Sequence, residues 1–377
     1  MKNILDGVVA ISLEQAVAAP YCSRLLSDNG ARVIKVERPE GDFARYYDNV
    51  VHHNSAYFCW LNAGKESICI DLTDSEDLSL LKSMIESADI FIQNLKPGVT
   101  EKYSLDHSSN QRLNPRLITC NISGYGHSGK YASMKAYDAL IQAETGLCSV
   151  TGPPETPSKV GASICDISTG LTAYSEILKY LYKRESSKKG AEINVSLFGV
   201  LSEWMSVPLA YYEYGDKIPK GTGLDHGQLA PYGQFETKTG PIFLVIQSDR
   251  EWRRFCSDVL GAKDVANDKR FITNQERMEN LILLKQIIND ILQKSTREEV
   301  IKKLGVSQIA YGSVNSVKEL SEHPALVRRE IRTNNGKFIT VDHVGNSKNT
   351  DIKIPELNEH GSLIRKEFES KMNRGEE

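Results

Sequence analysis

No stretch of this 377-residue chain approaches the roughly 18–20 consecutive apolar residues that span a bilayer. Charge of one sign is not in excess either. Forty-six basic against 49 acidic residues leaves −3, which gives no electrostatic reason to expect nucleic acid or an anionic membrane as partner. Paired cysteines are missing. The seven present (Cys22, Cys59, Cys69, Cys120, Cys148, Cys165, Cys256) are odd in number, scattered and never spaced C-x-x-C. That pattern favours free thiols in a reducing compartment over disulfides or a zinc site. His226 and His343 have no partners at metal-ligand spacing, so no metal is assigned. The opening residues meet Asp6 and Glu14 too early for a secretory apolar segment, and a cytoplasmic protein is expected. Internal repeats and low-complexity segments are absent as well.

What is present is a long alternation of strand and helix patterns, with a length that suggests about two domains. Residues 8–12 (VVAIS) and 31–36 (ARVIKV) are short β-branched runs. Between them lies a helical stretch carrying Tyr21, Leu25 and Leu26 and stopping at Asn29-Gly30. Residues 66–72 alternate as a strand, and Thr73 with Glu76 predicts a capping box opening the next helix. Further buried strands are predicted at 88–95 and 117–123, then a helix over 168–184, a strand over 191–196 and a helix with Trp204 and Met205. Strands alternating with helices to about residue 200 predict a doubly wound, Rossmann-like α/β domain. The first strand is followed by EQAVAAP rather than G-x-G-x-x-G, which disfavours NAD.

The texture changes at residues 215–233, a glycine- and proline-containing segment without periodicity. A strand at 242–247 and helices near 249–260, 276–293 and 296–304 fill a smaller α/β domain. From about 315 come a short helix, a strand at 336–341 and a polar tail expected to pack back on the first domain. The expected partition is therefore 1–214, 215–314 and 315–377.

One stretch concentrates chemistry: residues 160–171, VGASICDISTGL. Asp166 stands among small and apolar residues just before a helical pattern. It reads as a plain helix cap or as a reactive carboxylate. Burial beside apolar groups raises its pKa and a helix N-terminus lowers it, which would give an ionised, poorly hydrated nucleophile. Lys135-Ala136-Tyr137-Asp138 opens another helical stretch, preceded by the glycine-rich loop 124–129, a turn or a ligand lid. Lys35, Arg38, Lys65, Lys96 and Lys102 sit at strand ends, where open α/β sheets bind ligands and where a phosphorylated ligand would find cations.

Taken together, these pieces resemble the class III CoA-transferase family of CaiB/BaiF type, which includes formyl-CoA:oxalate CoA-transferase and, as a relative, α-methylacyl-CoA racemase. The likeness is carried by residues 5–45, LNAGKESICIDL (61–72), ADIFIQNLKPGV (88–99), NPRLITCNISGYG (114–126), KAYDALIQAETG (135–146) and the Asp166 stretch. It continues to PELNEHGSLIRKEF (355–368), where Asn358 stands in place of the family's glycine. The resemblance implies a Rossmann-like large domain, a smaller domain, a C-terminal segment returning to the large one, and an interlocked homodimer.

It also implies that Asp166 is the nucleophile, attacking an acyl-CoA thioester to form a mixed aspartyl anhydride and CoA thiolate. Coenzyme A contacts carry over to Val17, Ala18 and Arg38, and to Ile70, Asp71, Leu72 and Thr73. They also fall on Asn94, Leu95 and Lys96, on Lys102, and on Lys135, Ala136, Tyr137 and Asp138. No permanently bound cofactor is implied; the CoA thioester is a substrate. The acceptor is a small carboxylic acid, with C4–C5 dicarboxylates favoured and succinyl-CoA a candidate donor. The loop 221–227 lacks the glycine run of the oxalate enzymes, which weighs against oxalate. His226 and Arg45 are candidates, on charge alone, for binding a second carboxylate. Two alternatives stand beside this reading. One is an acyl-CoA racemase or epimerase, although Tyr137 replaces the histidine base of that branch. The other is a non-catalytic CoA-binding protein in which Asp166 only caps a helix.

Overall fold

The β-branched runs form six parallel strands in the computed structural model, which describes residues 3–342 and 352–372. They are β1 (Val9–Leu13), β2 (Arg32–Glu37), β3 (Glu66–Cys69), β4 (Ile90–Gln93), β5 (Ile118–Ser123) and β6 (Ala191–Ser196). Their order is β3-β2-β1-β4-β5-β6, every neighbouring pair parallel. The chain thus winds outward on one side of β1 and then, from β4, on the other. That reversal leaves a crevice beyond the carboxyl ends of β1 and β4.

Period-two alternation explains why both faces are covered. Along β1, Ala10 packs with the helix Ala18–Asp28 and the long helix Ile164–Ser187, while Ile11 and Leu13 face the helix Ser75–Glu86. The first helix ends at Asp28, where Gly30 takes a left-handed φ of +100°. A Cβ there would meet Asn3 Cβ at 2.4 Å. Gly170 brings the long helix close to the first one: an added Cβ would lie 2.5 Å from the Ala18 carbonyl oxygen and 3.0 Å from Tyr21. This close approach sets where the first turn of the long helix stands relative to the end of β1.

Two local expectations are corrected. Thr73 does not build a capping box; Asp74, directly before the helix, accepts the Glu76 and Asp77 N–H groups, and Thr73 turns to Asp71 at 2.7 Å. The long helix begins at Ile164, so Asp166 lies inside its first turn instead of ahead of it.

Contacts divide the chain into two units. Met1–Cys148, Lys159–Ile218 and Val327–Glu377 form the one with the parallel sheet; Ser149–Ser158 and Pro219–Leu326 form the other. The divides fall at 218 and 326, not at 214 and 314. Ser149–Ser158 join the second unit because Gly221 and Gly223 N–H groups donate to Ser149 O (3.1 Å) and Gly152 O (2.8 Å). This unit holds a three-stranded antiparallel sheet: β7 (Tyr232–Thr237), β8 (Gly240–Val245) and β9 (Ala310–Gly312). β7 was not expected; its first two residues fall at the end of the stretch 215–233 read as loop. Phe235, Ile242, Leu244 and Trp252 anchor its core.

In the first unit, β10 (Arg328–Thr333) and β11 (Gly336–Val341) make a hairpin. Residues 352–369 then pack on the parallel sheet's side, with Ile364 and Phe368 in the core facing the helix Ser75–Glu86. Asn358 takes φ +60°, the left-handed region that asparagine enters more readily than most residues with a Cβ, and its Oδ1 accepts the Cys69 N–H at 2.9 Å.

Candidate active site

The turn after β1, Glu14 to Val17, is held from several sides. Asn94, just beyond β4, accepts the Gln15 N–H (3.0 Å) and donates to the Gln15 carbonyl (2.8 Å). Ala16 adopts φ +64°, unusual for a residue with a Cβ. Its N–H donates to Asp42 Oδ1 at 3.1 Å. The helix Ala18–Asp28 opens here with no side chain capping its first turn.

Opposite, Asp166 is the third residue of the helix Ile164–Ser187. It does not cap that helix. Asp138 Oδ1 accepts the Cys165 N–H (2.8 Å) and the Asp166 N–H (3.3 Å), so the cap comes from the KAYD segment. Gln142 steadies Asp138 by donating to its Oδ2 at 2.6 Å. Asp166 is half-buried. Burial, and then the neighbouring Asp138 charge, raise its carboxyl from an ordinary 3.8 to about 7. The helix N-terminus pulls the other way. Cys165, beside it, is fully buried, and burial pushes its thiol far up, so the carboxylate is the more available nucleophile of the two.

A cavity of about 320 Å³ joins these pieces at the crevice between β1 and β4. Val17, Ala18, Asn94, Leu95 and Lys96 line one side; Lys135, Ala136, Tyr137, Asp138 and Asp166 line another. A second cavity, about 280 Å³, shares Gln15 and Leu95 with the first and is lined by Arg38, Ile70, Asp71 and Leu72 at the ends of β2 and β3. Fourteen of the sixteen residues named for coenzyme A or catalysis therefore line one or the other of these adjoining cavities, and only Thr73 and Lys102 line neither.

Other sequence-named residues have different roles. Arg45 is engaged by Glu37 through two bonds (2.7 and 2.8 Å) and lies 3.7 Å over the Phe58 ring, lining neither cavity. Lys35 and Lys65 are completely buried with Glu14 and Asp42, so they do not meet a phosphorylated ligand. His226 lies in the second unit, stacked on Tyr232 at 4.9 Å with its Nδ1 accepting the Gln228 N–H. The loop 124–129 is tied down at Tyr125, which contacts Tyr131 and Phe198 and donates to Glu144 at 3.0 Å.

Sequence reading missed Gln15, Phe43, Tyr47, Met134 and Leu197 as lining residues. Phe43 and Tyr47 stand four apart at one 3-10 turn with rings 5.7 Å apart, a spacing visible in the sequence. Tyr47 is pushed up to about 12 by burial and by the Asp42 and Asp166 charges. Among the described residues no group of three or more His, Cys, Asp or Glu could hold a metal ion, and no helix is long and apolar enough to cross a membrane. His343 lies outside the described residues.

A six-stranded parallel sheet with a hydrophobically shielded carboxylate at its switch point defines the class. Residues 5–354 match CoA-transferase family III, and the chain belongs to that family: it is a class III CoA-transferase. Such enzymes take CoA thioesters as substrates. It is 32% identical to the acetyl-CoA:oxalate CoA-transferase of Acetobacter aceti, over 89% of this chain and 87% of the relative. It is 33% identical to the succinate–glutarate CoA-transferase of Agrobacterium fabrum, over 88% and 85%. A solved CAIB/BAIF family protein from Brucella suis is similar over 98% of this chain and all of that one, with 31% identity and TM-score 0.82.

Proposed function

We propose that the protein moves CoA from an acyl-CoA to a carboxylic acid acceptor through a mixed anhydride on Asp166. The observation that carries this is the half-buried Asp166 carboxylate, which lines a cavity together with the turn after β1 and the residues beyond β4. An Asp166 oxygen attacks the thioester carbonyl carbon, the C–S bond breaks, and CoA leaves as thiolate. The acceptor carboxylate attacks the aspartyl carbonyl and releases the donor acid. The thiolate then attacks the acceptor's carbonyl carbon, regenerating Asp166. The unpaired N-terminus of the helix Ala18–Asp28 offers N–H groups and a positive dipole end to charge developing in the cavity. Coenzyme A itself is assigned to the two adjoining cavities, with Arg38 and Lys96 as its cations.

The named relatives act on oxalate, succinate and glutarate, so a dicarboxylate acceptor is proposed, with oxalate kept beside the C4–C5 acids. Tyr137 stands where the racemase branch has a histidine, so transfer is proposed over α-carbon epimerisation. A homodimer is proposed as well, supported by exposed Trp204, Val207, Leu209, Tyr212 and Tyr214. A single-chain mass in light scattering would overturn it. Seven free cysteines support a reducing, cytoplasmic setting.

Succinyl-, acetyl- and formyl-CoA, each offered with a panel of acids in the presence of hydroxylamine, should leave a hydroxamate on the peptide bearing Asp166. Turnover without that adduct would sink the mechanism. The pH dependence follows from the same carboxyl. Because Asp166 reacts ionised and titrates at about 7, kcat/KM should climb through pH 7, standing at pH 6 at about a tenth of its plateau. Asp138→Asn keeps the cap acceptor and removes the neighbouring charge, so it should shift this limb to lower pH. A profile unmoved by Asp138→Asn would refute the coupling.

A further inference from the structure

Behind the turn after β1 lies a set of buried charges. Glu14 Oε1 accepts from Lys65 (2.7 Å) and Lys35 (3.4 Å), and its Oε2 accepts the Ser12 and Ser23 hydroxyls (2.5 and 2.6 Å). Lys35 also donates to Asp42 Oδ2 at 2.8 Å. Two carboxylates thus balance two ammoniums, and the side chains of all four are shielded from solvent.

Asp42 is the member that reaches outward. While Oδ2 holds Lys35, Oδ1 accepts two backbone N–H groups, from Ala16 (3.1 Å) and Ala44 (2.9 Å). The first fixes the left-handed turn at Ala16, a conformation disfavoured for a residue with a Cβ unless a partner holds it. The second starts the 3-10 turn Phe43–Tyr46, which places Phe43 and Tyr47 in the lining of the Asp166 cavity. Asp42 N–H in turn donates to Glu37 at 3.0 Å, fixing the residue's own backbone. One carboxylate therefore fastens two walls of the cavity to the sheet.

We propose that Asp42 is a positioning residue of the transfer reaction, holding the Ala16 turn and the Phe43–Tyr47 wall in register with Asp166. This rests on the transferase reading of the cavity. Asp42 touches no reacting atom; it acts through the backbone groups it accepts. Displacing groups around a reacting centre by about 1 Å typically costs about 10²-fold in rate.

Charge balance and positioning are separated on a Lys35→Met background, which removes the ammonium that Asp42 neutralises. Lys35→Met/Asp42→Asn keeps an oxygen for both N–H groups; Lys35→Met/Asp42→Leu keeps the volume without the acceptor. The Asn variant should retain kcat within about threefold of Lys35→Met alone. The Leu variant should lose about 10²-fold in kcat with KM for acyl-CoA nearly unchanged. Amide hydrogen exchange, read without substrate, should accelerate over residues 14–18 and 43–47 in the Leu variant only. Equal kcat and equal exchange in the two variants would overturn the proposal, as would a 10²-fold loss already present in the Asn variant. If the Leu variant does not fold, Lys35→Met/Asp42→Ala takes its place with the same criteria. Hydroxamate formation on the unsubstituted enzyme is measured first. Its absence brings down the transferase reading and this proposal together, whereas its presence with equal variants brings down this proposal alone.

Discussion

Asp166→Asn should abolish CoA transfer, by at least about 10³-fold, and should make the protein more stable above pH 7. The loss follows from chemistry. An amide cannot form the anhydride, and Cys165 beside it, fully buried with its thiol pushed far up, is no substitute. The gain in stability follows from the same burial that prepares the nucleophile. Asp166 titrates at about 7 in the folded protein against an ordinary 3.8, so the folded state holds a proton that the unfolded chain releases. Stability therefore falls as pH rises from about 4 to 7, and the full penalty persists at pH 8. Asn carries no charge and escapes it. Calorimetry should show Asp166→Asn melting higher than the parent at pH 8, with the difference shrinking towards pH 4. Retained transfer, or a lower melting temperature at pH 8, would contradict the assignment of a desolvated nucleophilic carboxylate.

Glu14→Gln should destabilise the fold by about 3–5 kcal/mol, the range for breaking a buried ion pair on one side. Glu14 is completely buried between Lys35 and Lys65. Burial alone would raise its carboxyl; the Lys65 and Lys35 ammoniums outweigh that and hold it below 4.5. Lys65 already sits at about 8, brought down chiefly by burial. With an amide in place of the Glu14 carboxylate, the acceptors within reach of Lys65 among the described residues (that amide oxygen, Pro20 O and Asn62 Oδ1) are all uncharged. Urea unfolding at pH 7 reads the effect, and a change under about 1 kcal/mol would show that the network is not balanced as described. The pH window is that of lowered carboxylates. Glu14 contributes above its ordinary 4.5 and is lost as pH falls through its folded value. Glu37 follows the same rule. Burial opposes its ionisation, but Arg45 and Lys35 bring it to about 2, so its contribution fades between about 4.5 and 2.

Much of the scaffold was legible because it is local. Short β-branched and buried apolar runs gave five of the six strands to within a residue or two, the alternating run 66–72 overran β3 by three, and the alternation with helices gave the doubly wound class. Val17, Ala18, Asn94, Lys96 and Asp166 follow the ends of β1 and β4 or open a helix, positions that a strand pattern already marks as a ligand crevice. Thr73 misled because two candidate caps stand side by side, and only the one adjoining the first helical residue can accept from the next turn. β7 was hidden because it emerges directly from the irregular stretch 215–233, so that its short alternation carries little signal until it is paired with β8 across the two-residue turn Lys238-Thr239.

The charges were read least well, for one reason. A sequence shows that Lys35, Lys65, Arg45, Asp42, Asp138 and Asp166 are ionisable; it does not show which pairs packing will bring together. Partners 7 to 51 residues apart decide that Lys35 and Lys65 serve the interior and not a phosphate. A partner 8 residues away takes Arg45 from the acceptor. A partner 28 residues away makes Asp138, not Asp166, the cap. By itself the sequence determined the alternation of strands and helices in the parallel-sheet unit and the family, because those depend on local runs and on motifs in a fixed order. Only the tertiary structure decided which carboxylate is spent on the backbone and which stays free, because desolvation and pairing exist only once distant segments share one low-dielectric space.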